Sequence, residues 1–184
     1  ASMTESFQNL GFGLVLATVL VYLLLVGQFG SFLDPLLILL SVPFGLIGVM
    51  ATLWITQTTL NVQSFIGIIF MVGIAVSNGI LLVEFANRLR AQGESPTEAA
   101  ITSARIRLRP ILMTSIATLL GLIPMAIGFG HGAEANVPLA RAVIGGLAVS
   151  TVITLLALPL LYSLLKRERR ASDTAALSSV MAGI

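Results

Sequence analysis

Residues 64–88 read SFIGIIFMVGIAVSNGILLVEFANR. No charge interrupts this run until Glu84, and Arg88 closes it. An α-helix needs about 20 consecutive apolar residues to cross a bilayer, so the stretch predicts a membrane span. Its centre carries Ser77 and Asn78, polar side chains that must find partners in hydrocarbon. The pattern recurs on both sides. Residues 6–33, 35–83, 110–133 and 142–165 hold no Asp, Glu, Lys or Arg. The second of these is long enough for two spans, divided by the polar residues at 56–59 and 61–64. The sequence therefore predicts five transmembrane helices in an all-α bundle, at about 7–27, 35–55, 64–88, 110–128 and 138–164. Residues 1–6 form a stub before the first helix and residues 166–184 a tail after the last.

Composition agrees with the spans. The chain has 184 residues, 57% hydrophobic and 10% charged, a mean hydropathy of +1.02 and no cysteine. A soluble domain carries about 25% charged residues, and one of this size could not hide so much apolar surface. A soluble enzyme, a disordered linker and a disulfide-stapled secreted domain are excluded.

The charges that remain are segregated. Arg88, Arg90, Arg105, Arg107 and Arg109 fall in one segment, and Lys166, Arg167, Arg169 and Arg170 in another; only Arg141 stands apart. Five spans put both clusters on one side of the membrane. By the positive-inside rule that side is the cytoplasm, which leaves the first residues outside and the C-terminus inside. No aromatic residues interleave the arginines as a nucleic-acid surface would require. Residues 6–27 lack a basic leader and are too long for a secretory signal. A chain that starts outside without a translocation signal reads as the end of a longer one.

Local signals refine the elements. Ser95-Pro96-Thr97-Glu98 is a capping-box pattern with Pro at the first helical position, predicting a short cytoplasmic helix over about 96–107. Pro110 then opens the fourth span. Asp34-Pro35 opens the second, with Asp34 as its N-cap. Pro43, Pro124 and Pro159 should bend the helices that hold them. Ser41 with Gly45, Gly73 with Ser77, Ala75 with Gly79, and Gly145 with Gly146 are small-residue pairs that let helices approach closely.

Few residues are placed for chemistry. Glu84 reads as an interfacial carboxylate paired with Arg88 one turn on. Arg141 reads as an anchor whose stem reaches the headgroups. His131 and Glu134 alone make no metal site, and no nucleophile motif or phosphate loop is present. No catalytic residue, metal or cofactor is expected. The informative set is Arg107 and Thr114, seven residues apart on one helical stripe, with Ser77 and Asn78 on the third span. Two readings of these four stay open: hydrogen bonds that hold the bundle together, or a relay for protons or ions.

At these residues the chain resembles the C-terminal membrane segment of resistance–nodulation–division (RND) efflux permeases. The matching runs are Gly27 to Pro35 (GQFGSFLDP), Gly73 to Phe85 (GIAVSNGILLVEF) and Arg107 to Ser115 (RLRPILMTS), followed by Gly132-Ala133-Glu134, Pro138-Leu139-Ala140 and Val143 to Leu147 (VIGGL). They keep the family's order and spacing from about residue 3 to 165. The resemblance implies the eighth to twelfth helices of a twelve-helix, proton-driven antiporter of the bacterial inner membrane. It implies a homotrimer that works with the remainder of the permease, a periplasmic adaptor and an outer-membrane channel. The N-terminal end would face the periplasm and the C-terminus the cytoplasm. Arg107 and Thr114 match relay residues of the family's eleventh helix, and Asn78 matches an asparagine of its tenth. Ser77 stands where many drug exporters carry a lysine. The relay's aspartates belong to a fourth helix outside this chain. The runs at 132–134 and 138–140 look like those of heavy-metal members, so drugs, other hydrophobic compounds and metal ions all remain open as cargo. The alternative is a stand-alone five-helix membrane scaffold without transport activity.

Overall fold

The computed structural model describes residues 2–129 and 133–182, without the side chains of residues 2–4, 7, 133 and 166–182. Among these residues there is no strand. Six α-helices follow one another: α1 (Ser2–Phe29), α2 (Leu33–Leu39), α3 (Ser41–Ile55), α4 (Val62–Ala91), α5 (Pro96–Ile127) and α6 (Val137–Ala182), with a 3-10 turn at Ala133–Asn136. Helices α2 and α3 together make one span, so five helical stretches are long and apolar enough to cross a membrane. The all-α bundle of five spans is thus what the structure gives.

The second span breaks at Leu40, with backbone angles that remain helical. Pro43 has no N–H to offer the carbonyl four residues back, so the hydrogen-bond ladder opens ahead of the proline. The Ser41 hydroxyl donates to the Ile38 carbonyl at 2.8 Å across the opening. Asp34 is not the N-cap. Phe32 holds that position without a side-chain bond, and Asp34 lies inside the first turn.

Caps fix the other helix starts. Asn61 accepts the Ser64 N–H at 2.9 Å to begin α4. Ser95 accepts the Glu98 N–H at 3.2 Å, and its hydroxyl donates to the Glu98 carboxylate at 2.9 Å. From this cap α5 does not stop near residue 107 as the sequence suggests. It runs unbroken through Pro110 and Pro124 for 32 residues, about 48 Å at 1.5 Å per residue. A bilayer core spans about 30 Å. A helix of this length extends beyond the hydrocarbon, and Pro110, which has no N–H, costs it a single bond of the ladder. Gly128, at φ +79°, ends the helix in the left-handed conformation. Helix α6 likewise continues past the expected end of its span, through Pro159 to Ala182.

The centre of the bundle is a glycine seam. A Cβ on Gly48 would lie 2.5 Å from the Gly145 carbonyl, and one on Gly146 2.6 Å from Met71 Cγ. Gly45 and Gly79 are equally closed in, by Met71 and Ile38. Helices α3, α4 and α6 meet there. Of the small pairs read from sequence, Gly73 and Ser77 behave differently. Gly73 has open space around it, because this face of α4 borders a cavity.

Candidate functional site

The cavity lies between α4 and α5 and has a volume of about 340 Å³. Ser77 and Asn78 line it from the middle of α4, and Arg107, Pro110 and Thr114 line it from α5. All four candidate residues therefore share one cavity. Helical spacing explains this. Ser77, Asn78 and Leu81 fall on one side of α4, while Arg107, Ile111 and Thr114 follow each other at intervals of four and three along α5.

The four side chains are brought together without being bonded. Among the described residues no hydrogen bond joins any two of them. The Thr114 hydroxyl turns back to its own helix, donating toward the Pro110 and Ile111 carbonyls at 3.2 and 3.0 Å. That leaves its lone pairs toward the cavity as acceptors. Arg107 stacks its guanidinium over the Phe85 ring at 5.0 Å from the centroid, a cation–π contact that orients the group. Among the described residues, Arg107 Nε and Asn78 Nδ2 are buried and meet no hydrogen-bond partner. Buried donors are satisfied as a rule, so two on residues that line one cavity point to an acceptor there.

The structure places the remaining candidates as follows. Glu84 and Arg88 form the expected pair at 2.6 Å, at the arginine-rich end of α4. Arg141 does not reach outward. Its Nε donates to the Ala126 carbonyl at 3.1 Å and its Nη1 to Thr58 Oγ1 at 2.7 Å. The guanidinium thus sits at the C-terminal ends of α5 and α3, where helix dipoles favour a cation. Glu134 lies in the 3-10 turn, and His131 and Gly132 lie outside the described residues. No group of three or more His, Cys, Asp or Glu able to hold a metal occurs among the described residues.

Sequence reasoning missed one polar cluster. Asn87 Nδ2 donates to Asp34 Oδ2 at 2.9 Å, and the Tyr162 hydroxyl donates to Asn87 Oδ1. Asp34 is 1% exposed and Tyr162 is fully buried. Hydrophilic residues inside otherwise apolar spans were the available signal. Nothing in their spacing joins them, because they come from three helices.

Comparison with known proteins adds a frame to this geometry. The family model described as AcrB/AcrD/AcrF matches residues 1–166. The chain is 41% identical over 171 residues to the swarming motility protein SwrC of Bacillus subtilis, covering 92% of this chain and 16% of that protein. It is 43% identical over 159 residues to the cobalt-zinc-cadmium resistance protein CzcA of Cupriavidus metallidurans, covering 86% and 15%. A crystal structure of a heavy metal efflux pump superposes with a TM-score of 0.80 at 35% identity, over 90% of this chain and 16% of the pump. The chain thus spans about one sixth of the length of these relatives.

Proposed function

The chain belongs to the AcrB/AcrD/AcrF family, the RND permeases that its motifs resemble, and on that premise we propose that it is the C-terminal membrane segment of a proton-driven efflux transporter. The α4–α5 cavity is its share of the proton relay. One observation carries this reading: Arg107 and Asn78, each with a buried donor that meets no partner, line the same cavity. A carboxylate from another helix of the full permease is the acceptor that fits them. Charge-assisted hydrogen bonds of this kind are the strong ones. Protonation removes the carboxylate's charge, so its attraction to Arg107 falls. Ser77 and Thr114 then offer the hydroxyls through which water or the protonated acid is held. Helices α4 and α5 shift as the pairing changes, and the shift drives export. Ser77 in place of a lysine leaves Arg107 as the cation of this segment's cavity.

The orientation follows from the arginines, with their end of the bundle in the cytoplasm and the start of α1 in the periplasm. The setting is a bacterial inner membrane, in a homotrimer joined by a periplasmic adaptor and an outer-membrane channel. For cargo, divalent metal cations are favoured over drugs, because CzcA is named for cobalt, zinc and cadmium and the matched structure for heavy metals.

The test is proton-coupled efflux by the full-length permease carrying Arg107→Ala or Thr114→Ala. Arg107→Ala should abolish coupling, and Thr114→Ala should lower it while Thr114→Ser retains it. Unchanged transport in both alanine variants refutes the relay. Growth of a metal-sensitive host on zinc, cobalt and cadmium, with and without the permease, tests the cargo.

A further inference from the structure

At the arginine-rich end of the bundle a second polar arrangement lies apart from the cavity. The Tyr162 hydroxyl donates to Asn87 Oδ1, and Asn87 Nδ2 donates to Asp34 Oδ2 at 2.9 Å. Both links point the same way: the phenol donates, the amide accepts and donates, and the carboxylate accepts. Polarised chains of this kind reinforce each other. Asp34 belongs to α2, Asn87 to α4 and Tyr162 to α6.

We propose that Asp34 and Asn87 are positioning residues, which fix the rotation of α4 against α2 and α6 and thereby the direction in which Ser77 and Asn78 face. The geometry is that of one rigid rod. Asn78 and Asn87 are nine residues apart, or about two and a half turns, so they sit on opposite sides of α4 about 13 Å apart along its axis. A rotation that carries Asn78 away from Arg107 carries Asn87 away from Asp34 and Tyr162. Helix α2 is seven residues long and buries Asp34, Pro35, Leu37 and Ile38, with Leu37 and Ile38 in the apolar core. Apolar packing, including the contact of Ile38 with Gly79, holds it against α4, and Asp34 adds a directional polar tie that packing alone does not supply. The chain therefore acts as a clasp that must hold or reset whenever α4 turns.

The inference rests on the relay reading only for its effect on transport; its structural readout is independent. The experiment swaps donor and acceptor in the full-length permease. Asn87→Asp sets two carboxylates against each other and removes the donor to Asp34. Adding Asp34→Asn restores an amide facing a carboxylate, with Tyr162 still donating to position 87. Amide hydrogen exchange of residues 36–39 and 78–87 is followed, together with efflux. Asn87→Asp should speed exchange by about tenfold or more, the loss of a charge-assisted hydrogen bond, and reduce efflux. The double variant should return both to within about threefold of the parent. Asp34→Asn alone keeps an acceptor for Asn87 and should stay near the parent. A double variant no better than Asn87→Asp overturns the proposal, as does Asp34→Asn being equally defective. Restored exchange with efflux still lost supports the clasp and counts against its tie to the cavity.

Discussion

Replacing Gly48 by alanine tests whether close backbone approach holds the bundle together. The added Cβ would stand 2.5 Å from the Gly145 carbonyl and 2.7 Å from Val149 Cβ. Ordinary contact begins at 3.4 Å, so α3 and α6 must part by about 0.7–0.9 Å. A gap of 0.5–1 Å forfeits roughly a quarter to a half of each van der Waals contact along the seam. Helices in lipid have no hydrophobic drive to compensate, since lipid tails are as apolar as leucine. Overpacking of this kind costs about 1–3 kcal/mol. Gly121→Ala is the control. It has open space around it, and alanine favours the helix by about 1 kcal/mol. Thermal unfolding of the full-length permease in detergent should therefore separate the two in opposite directions, Gly48→Ala below the parent and Gly121→Ala at or above it. Gly145→Ala lies in the same contact, so the Gly48/Gly145 double variant should lose less than the sum of the singles. A Gly48→Ala protein that melts with or above Gly121→Ala refutes the reasoning.

Two further outcomes follow from the helix ends. Arg141→Ala removes the bonds to Ala126 and Thr58 and should lower stability by about 1–3 kcal/mol, with Arg141→Lys intermediate because an ammonium lacks the guanidinium's fork; melting curves check both. Ser95→Ala removes the cap of α5 and should cost about 1 kcal/mol, read as faster amide exchange over residues 97–100 with no change at residues 110–120.

What the sequence revealed and what it hid divide along physical lines. The five spans were legible because hydropathy acts over 20 residues at a time and needs no tertiary knowledge. The convergence of Arg107 and Thr114 with Ser77 and Asn78 was legible because helical spacing sets each pair on one face, and α4 and α5 are joined by a short turn at Gly93. The Asp34–Asn87–Tyr162 cluster was hidden. Its members lie 53 and 75 positions apart, and only packing decides which polar groups meet. Arg141 misled for the same reason. Its position near a span end suggests an outward reach, but the loop after α3 brings Thr56 and Thr58 to it. The helix through Pro110 misled because proline weighs against a helix interior in water, whereas a capped 32-residue helix leaving the bilayer loses a single bond there.

These contacts also divide the bundle into parts that are fixed and a part that is not. Helices α3, α4 and α6 meet closely at the glycine seam, where the Gly48 and Gly145 backbones approach directly and the Met71 side chain fills the space beside Gly45 and Gly146. Helix α5 is held differently. The Ser115–Thr151 hydrogen bond at 3.0 Å ties its middle to α6, and Arg141 ties its far end. Only 11% of its most apolar window is buried, against 50% for α4. A hydroxyl pair permits small rotations that a glycine seam does not. The cavity thus lies between the most buried span and one of the less buried ones, and a change of charge opposite Arg107 would act on a helix tied to α6 through a hydroxyl pair. On this argument Ser115→Ala, which frees α5 without touching the cavity lining, should alter the rate of coupled efflux while leaving the melting behaviour of the seam variants unchanged. Equal rates in Ser115→Ala and the parent would place the moving joint elsewhere than between α5 and α6.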